Sequence, residues 1–278
     1  MNNSIIVEVG ELLDEVRSQN PLVHHITNYV TVNDCANITL AIGASPIMAD
    51  DIGEAASITS ISSSFVINIG TLNTRTIESM IASGKKANEL NIPVIFDPVG
   101  AGVSELRNQT VAAILDQVTI SVLRGNISEI GYINGSETTI KGVDASESDR
   151  QAGSQNGIAI AKNIANQLNC VVVITGETDI VTDGNRVFTI NNGHSMLANV
   201  TGTGCMSASL IGAFCGATTT ADYLPAAIGG TLSMGLAGEI SYEKVGHTGS
   251  GSFHIGIIDA ISKLDAMTMM DRADVSEA

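Results

Sequence analysis

The chain has 278 residues, 44% of them hydrophobic but only 3% aromatic, with 28 glycines, no tryptophan and a formal net charge of −16. A core of Ile, Val, Leu, Ala and Met suits helices laid closely on a parallel sheet, and the length admits one large α/β domain or two small ones. The acidic balance excludes nucleic acids and anionic membrane surfaces, which need a basic patch, while leaving room for a small anion held by amides and one or two Arg or Lys.

Cys35, Cys170, Cys205 and Cys215 form no CxxC pair, so neither a zinc site nor a disulfide framework is indicated and a reducing compartment is expected. No uninterrupted stretch is long enough to span a membrane. Glu8 and Glu11 stand where a signal peptide would need basic residues and an apolar core, so a cytoplasmic location is expected.

In chain order, Ile5, Val9, Leu12 and Val16 mark one face of an amphipathic helix that Pro21 stops. A polar turn is expected at His24-His25-Ile26-Thr27-Asn28, its histidines at the surface or hydrogen-bonded, with no metal-ligand spacing around them. An alanine-rich helix follows through 33–40, then a turn, a short strand and a loop over 43–50, and a helix over 52–61. Residues 64–70 read as a central parallel strand, apolar on both faces. Thr74 caps the next helix, and 92–97 form another strand, followed by an irregular loop and a helix over 107–117. A strand over 118–123 ends in Arg124-Gly125-Asn126. Residues 143–155 are polar and aperiodic and read as a surface loop. A helix through Ile158, Ala161, Ala165 and Leu168 leads to a buried strand over 170–175, and a hairpin around Asp183-Gly184-Asn185 is expected at a sheet edge. Two long helical regions, 221–245 and 253–270, precede an acidic tail whose last eight or so residues are expected to fray. This rhythm predicts βαβ units around an open sheet covered on both faces, with ligands at the carboxyl ends of the strands.

Val200-Thr201-Gly202-Thr203-Gly204-Cys205 lies between the hairpin and the first of those regions, followed by a run of small residues to Phe214. Two glycines at alternate positions allow a tight turn into a buried helix whose free amides and positive dipole end would receive a phosphoryl group. Cys205 would then sit in the first turn, where a thiol pKa tends to fall. A plain glycine turn packing a helix on a sheet, with Cys205 in the core, fits the same residues. Met48 and Asp50, Asp97, Arg124 with Asn126 and Glu129, and Thr175 end four strands on the same rim. Asp97 before Pro98 can simply end its strand, Asn126-Ile-Ser-Glu129 fits a capping box as well as a binding role, and Met48 could be core filler. Arg124 beside Gly125 is harder to explain by packing and suits a phosphate. A Walker A loop and a Rossmann fingerprint are both absent.

Taken jointly, His25-Ile-Thr-Asn28, Gly43-Ala-Ser-Pro-Ile-Met48, Asn68-Ile-Gly-Thr-Leu72, Asp97-Pro-Val-Gly-Ala-Gly102, Arg124-Gly-Asn126-x-x-Glu129, Ile174-Thr-Gly-Glu177, Asn192-Gly-His194, the Val200–Cys205 loop and Gly251-Ser-Phe253 resemble the hydroxyethylthiazole kinases over nearly the whole chain. The resemblance implies one ribokinase-like three-layer αβα domain with a mostly parallel sheet, usually a homotrimer with sites shared between subunits. It implies ATP- and Mg²⁺-dependent phosphorylation of the hydroxyl of 4-methyl-5-(2-hydroxyethyl)thiazole in thiamine biosynthesis or salvage. On these positions it implies that Asn28, Val30, Met48 and Gly202 meet the thiazole, and that Arg124, Asn126 and Thr175 meet ATP. Asp97 and Glu129 would hold the metal, while Gly202, Gly204 and Cys205 would serve the transfer. Broader ribokinase relatives carry Asp where this chain has Cys205. A kinase of another small alcohol and a catalytically silent binding protein on the same scaffold are the rival readings.

Overall fold

The computed structural model describes residues 4–135 and 147–278. Six parallel strands come first: β1 (Leu22–Ile26), β2 (Ser45–Met48), β3 (Ser64–Asn68), β4 (Val94–Asp97), β5 (Val122–Asn126) and β6 (Val171–Thr175). Antiparallel β7 (Asp179–Thr182), β8 (Val187–Ile190) and β9 (Val275–Glu277) follow. Among the described residues they form one sheet in the order β2-β1-β3-β4-β5-β6-β7-β8-β9.

Alternate residues of the inner strands point to opposite faces, so each face builds its own core. Val66, Ile95, Val122, Val171 and Val173 face one layer, made of α1 (Ser4–Gln19), α2 (Val32–Ile42), α8 (Thr203–Ala217), α9 (Leu224–Val245), α10 (Ser250–Lys263) and α11 (Ala266–Arg272). Phe65, Ile67, Phe96, Leu123, Val172 and Ile174 face the other, made of α3 (Ala55–Ser60), α4 (Thr74–Glu89), α5 (Glu105–Gln117), α6 (Ile127–Ile133) and α7 (Glu147–Leu168). This is the three-layer arrangement that the strand–helix rhythm predicts. Helix α8 has no polar face because α9, α2 and the sheet cover it from all sides, burying it from Met206 to Cys215.

Several local expectations are corrected by long-range partners. The His24-His25 segment is not a polar turn but the buried strand β1 between β2 and β3. Its histidines are tolerated there because every ring nitrogen finds a partner: Thr59 Oγ1 at 2.9 Å and the Ala49 carbonyl at 2.8 Å for His24, the Val23 carbonyl at 3.0 Å and Ser209 Oγ at 3.1 Å for His25. Asn73, not Thr74, caps α4, accepting from Thr76 N at 3.1 Å. The helix expected from Ile52 begins only at Ala55, because 51–54 form a turn in which the Asp51 side chain accepts from Gly53 N. The strand expected from Val118 begins at Val122, residue 118 being the C-cap of α5.

Of the loop expected over 143–155, residues 143–146 lie outside the described residues. From Glu147 the backbone is helical, because Glu, Arg, Gln and Ala favour the helix and extend the amphipathic part cooperatively. The second long helical region divides at Leu264-Asp265, where Asp265 caps α11. The tail expected to fray instead forms β9, pairing Val275 with Ile190 and Glu277 with Phe188, so β9 rather than the hairpin is the sheet edge. An edge strand this short and acidic is a poor template for further pairing. Among the described residues, no helix is long and apolar enough to cross a membrane.

Candidate active site

The carboxyl ends of the parallel strands meet the start of α8. Gly202 is the N-cap of this helix, with φ 88° and no side-chain cap, and a Cβ there would stand 2.6 Å from Thr31 Cγ2. Only glycine turns the chain so tightly against Thr31. The first-turn amides are therefore left to a ligand or water, at the positive end of the helix dipole. At Gly204 the missing side chain makes room for the Arg124 guanidinium, whose Nη1 and Nη2 lie 2.8 and 3.0 Å from where a Cβ would be. Arg124 Nη2 donates to Thr175 Oγ1 at 3.1 Å, and Nη1 stands 3.8 Å from Asp97 Oδ1. Its Nε is buried without a partner.

Asp97 ends β4 and is wholly buried. Its Oδ2 accepts from Asn68 Nδ2 at 2.9 Å, while its Oδ1 has no hydrogen-bond partner. Burial pushes this carboxyl up to about 7, with the Glu129 charge adding to the rise and Arg124 and Asn68 opposing it. Glu129 accepts from Asn126 N and Gly100 N, both at 2.8 Å. Asn126 in turn accepts from Ser128 N and Glu129 N, so the capping box is present and the same two residues lie at the rim.

Cys205 is held by two amides: Asn28 Nδ2 donates to its Sγ at 3.2 Å and Asn68 Nδ2 at 3.3 Å. The expected fall in its pKa is not seen. Burial raises the thiol, and the Asp97 carboxylate raises it further, outweighing its polar neighbours. A neutral thiol at this position orients its neighbours better than it accepts a proton. The Asn28 carboxamide is also fully engaged, donating to Asn68 Oδ1 at 3.0 Å and to Cys205 while accepting from Thr31 N and Oγ1 at 3.1 Å. Val30 is 57% exposed and Met48 half-buried.

A cleft of about 820 Å³ opens beside these groups, lined among others by Arg124, Thr175, Asp179, His194, Gly204 and Met234. The structure thus brings Asp97, Arg124, Thr175, Gly204 and Cys205 together, with Asn28 linked through Asn68. Val30 lies in the turn between β1 and α2, and Met48 ends β2. The sequence motif Asn68-Ile-Gly-Thr-Leu72 by itself assigns Asn68 no role; its place beside Asp97 follows from the β3–β4 register. From the sequence Asp179 reads only as a hairpin residue. It lines the cleft, accepts from Gly176 N at 2.9 Å, and is pushed up to about 6 by burial. Arg107 was not singled out either; it pins the loops after β3 and β4 by donating to the carbonyls of Ile69, Gly70 and Val99.

Known proteins share this fold. The S. aureus pyridoxal kinase with AMP-PCP and pyridoxal shares the ribokinase-like fold at a TM-score of 0.57 and 13% identity, over 79% of this chain and 87% of its own. The solved structure of the hydroxyethylthiazole kinase protein of Pyrococcus horikoshii superposes with a TM-score of 0.87 at 36% identity, over 98% of this chain and 99% of that one. The hydroxyethylthiazole kinase of Clostridium beijerinckii is 66% identical over 264 residues, 95% of either chain. The model of the hydroxyethylthiazole kinase family matches residues 13–267. With the glycine turn, the strand-end carboxylate and the arginine all in one site, and relatives this similar end to end, the chain belongs to the hydroxyethylthiazole kinase family.

Proposed function

We propose that this chain transfers the terminal phosphoryl group of ATP to the hydroxyl of 4-methyl-5-(2-hydroxyethyl)thiazole, in thiamine biosynthesis or salvage. The observation that carries the reading is the start of α8: an uncapped helix end with a guanidinium across it, both lining one cleft, backed by the buried Asp97 carboxylate with one oxygen free of hydrogen bonds. In this reading the nucleotide lies in the cleft against Arg124, Thr175 and Asn126. Its terminal phosphate meets the amides of 202–205, and the thiazole lies against Asn28, Val30 and Met48 with its hydroxyethyl arm toward Gly202.

The alcohol oxygen attacks the terminal phosphorus as the bond to the ADP oxygen breaks, and the hydroxyl proton passes to an oxygen of the transferred phosphoryl group. In so loose a transition state, charge neutralisation by amides and Arg124 matters more than a strong base, which suits a neutral Cys205. Asp97 and Glu129 would hold Mg²⁺. Asp97 Oδ1, free of hydrogen bonds, fits this, as does the second lone pair left on each Glu129 oxygen, two carboxylates plus water and phosphate being a usual Mg²⁺ donor set. When bound, the ion neutralises charge on the phosphate oxygens.

Exposed Tyr29, Val30, Leu40 and Ile255 would be covered if sites were shared within a homotrimer, the assembly we propose. The continuous sheet supports one domain, and four free thiols suit a reducing, cytoplasmic setting. A coupled assay of ADP release with ATP, Mg²⁺ and the thiazole alcohol tests the activity, and a solution mass measurement tests the trimer. Equal turnover of a pyrimidine alcohol would favour a kinase of another small alcohol, and no ADP release would favour a silent binding protein.

A further inference from the structure

Asn68 is 1% exposed, and its carboxamide makes four hydrogen bonds that leave nothing unpaired. Its Oδ1 accepts from Asn28 Nδ2 at 3.0 Å and from Gly70 N at 2.9 Å. Two donors on one side fix which end is oxygen, so Nδ2 must face the other way. There it donates to Asp97 Oδ2 at 2.9 Å and Cys205 Sγ at 3.3 Å. One amide thus joins the residue on the acceptor side of the site, the thiol at the helix start and the carboxylate on the phosphate side. The link is rigid on two counts. Asn68 and Asp97 are register partners on adjacent parallel strands, and Asn28 is itself locked by Thr31.

Backbone groups alone would serve to pair a buried Asn at the end of an apolar strand. Here three of its four partners are side chains of the site. With Oδ2 of Asp97 occupied by the Asn68 amide, Oδ1 is the oxygen turned toward Arg124 and left free of hydrogen bonds.

We propose that Asn68 is a positioning residue whose two ends do different work: Oδ1 holds Asn28 for the acceptor alcohol, and Nδ2 orients Asp97 and Cys205 for the transfer. This rests on the kinase reading above and adds to it the group that keeps both halves of the site in register.

The two ends are separable by substitution. Asn68→Asp keeps the oxygen facing Asn28 and Gly70 but puts an acceptor where the donor stood. Asn68→Ala removes both ends. The measurements are binding of the thiazole alcohol by calorimetry without nucleotide, kcat in the coupled assay, and thermal midpoints of all chains. Asn68→Asp is expected to bind the thiazole within about 3-fold of the parent while kcat falls by roughly 10- to 100-fold, the scale of one lost charge-assisted hydrogen bond. Asn68→Ala is expected to lose binding as well as kcat. In a cycle with Asp97→Asn, the Asn68→Ala loss in kcat is expected to shrink to a few-fold at most, because the group it acts through is already gone.

Parental kcat in Asn68→Asp would overturn the proposal. So would full additivity in the cycle, or loss of binding, kcat and thermal midpoint together in both variants, which is what a merely structural asparagine would give. Failure of the parent chain itself to phosphorylate the thiazole alcohol would instead sink the functional reading, so the two failures are told apart.

Discussion

An alanine at position 204 would place its Cβ 2.8 Å from Nη1 of Arg124, closer than real Cβ contacts come, and 3.0 Å from Nη2 and 3.2 Å from Cζ, tighter than most. The colliding atoms end a long flexible side chain, so Arg124 yields and the backbone stays. Gly204 lies in the first turn of α8 without a positive φ, and alanine there gains at most about 1 kcal/mol of helix propensity. The thermal midpoint of Gly204→Ala should therefore stay within about 4 °C of the parent. The displaced guanidinium loses Thr175 Oγ1 at 3.1 Å and its place across the helix start. Losing one charge-assisted contact to a phosphate, about 1.5–3 kcal/mol, predicts a fall in kcat/KM for ATP of roughly 10- to 150-fold. Steady-state kinetics with varied ATP at saturating thiazole, beside a thermal melt, measures both quantities. A variant that melts like the parent and keeps its kcat/KM for ATP within about 2-fold would refute the phosphate role of Arg124 and of the glycine turn.

Gly202→Ala should behave differently, since φ 88° and Thr31 at 2.6 Å are features of backbone and packed core. A loss of about 1–3 kcal/mol is expected, read as a lower midpoint in urea, and an unchanged midpoint would contradict the strain. Cys205→Ser should keep kcat within about 10-fold of the parent, because a hydroxyl can accept from the same Asn28 and Asn68 amides and no thiolate is needed. A folded Cys205→Ser chain without activity would show that the thiolate is required. His25 is driven by burial down to about 3, so the unfolded chain takes up its proton below about pH 6.5 and the folded chain does not. Its contribution therefore makes stability fall as pH drops from 6.5 toward 3, by about 1.4 kcal/mol per unit well inside that window. Buried Asp97 and Asp179, whose folded pKa values are raised, act in the opposite sense. The difference between the parent and His25→Gln isolates the histidine, and chemical denaturation from pH 6.5 to 4.5 should show the variant losing about 2–3 kcal/mol less. Parallel curves would refute it.

Much of the sheet was legible because parallel strands buried on both faces leave short apolar runs such as 64–68 and 171–175, and because α4 keeps helical spacing and the paired glycines mark the start of α8. The strand-end residues Asp97, Arg124 and Thr175 could be placed on one rim for the same reason: parallel order puts all carboxyl ends on one side. Other features depend on partners far along the chain. β1 contains two histidines that become strand residues only once Thr59, Ala49 and Ser209 satisfy them, and β9 exists only because β8 offers an unpaired edge. The thiol of Cys205 follows the same rule. Its position at a helix start argues for a lowered pKa, but burial and the nearby Asp97, brought to it by the fold from over a hundred residues away, decide the opposite. Local spacing determined most of the parallel strands and helices and the strand-end residues Asp97, Arg124 and Thr175. Tertiary contact alone decided protonation, the pairing of buried polar groups and the central place of Asn68, because desolvation and hydrogen-bond satisfaction depend on what surrounds a group in space.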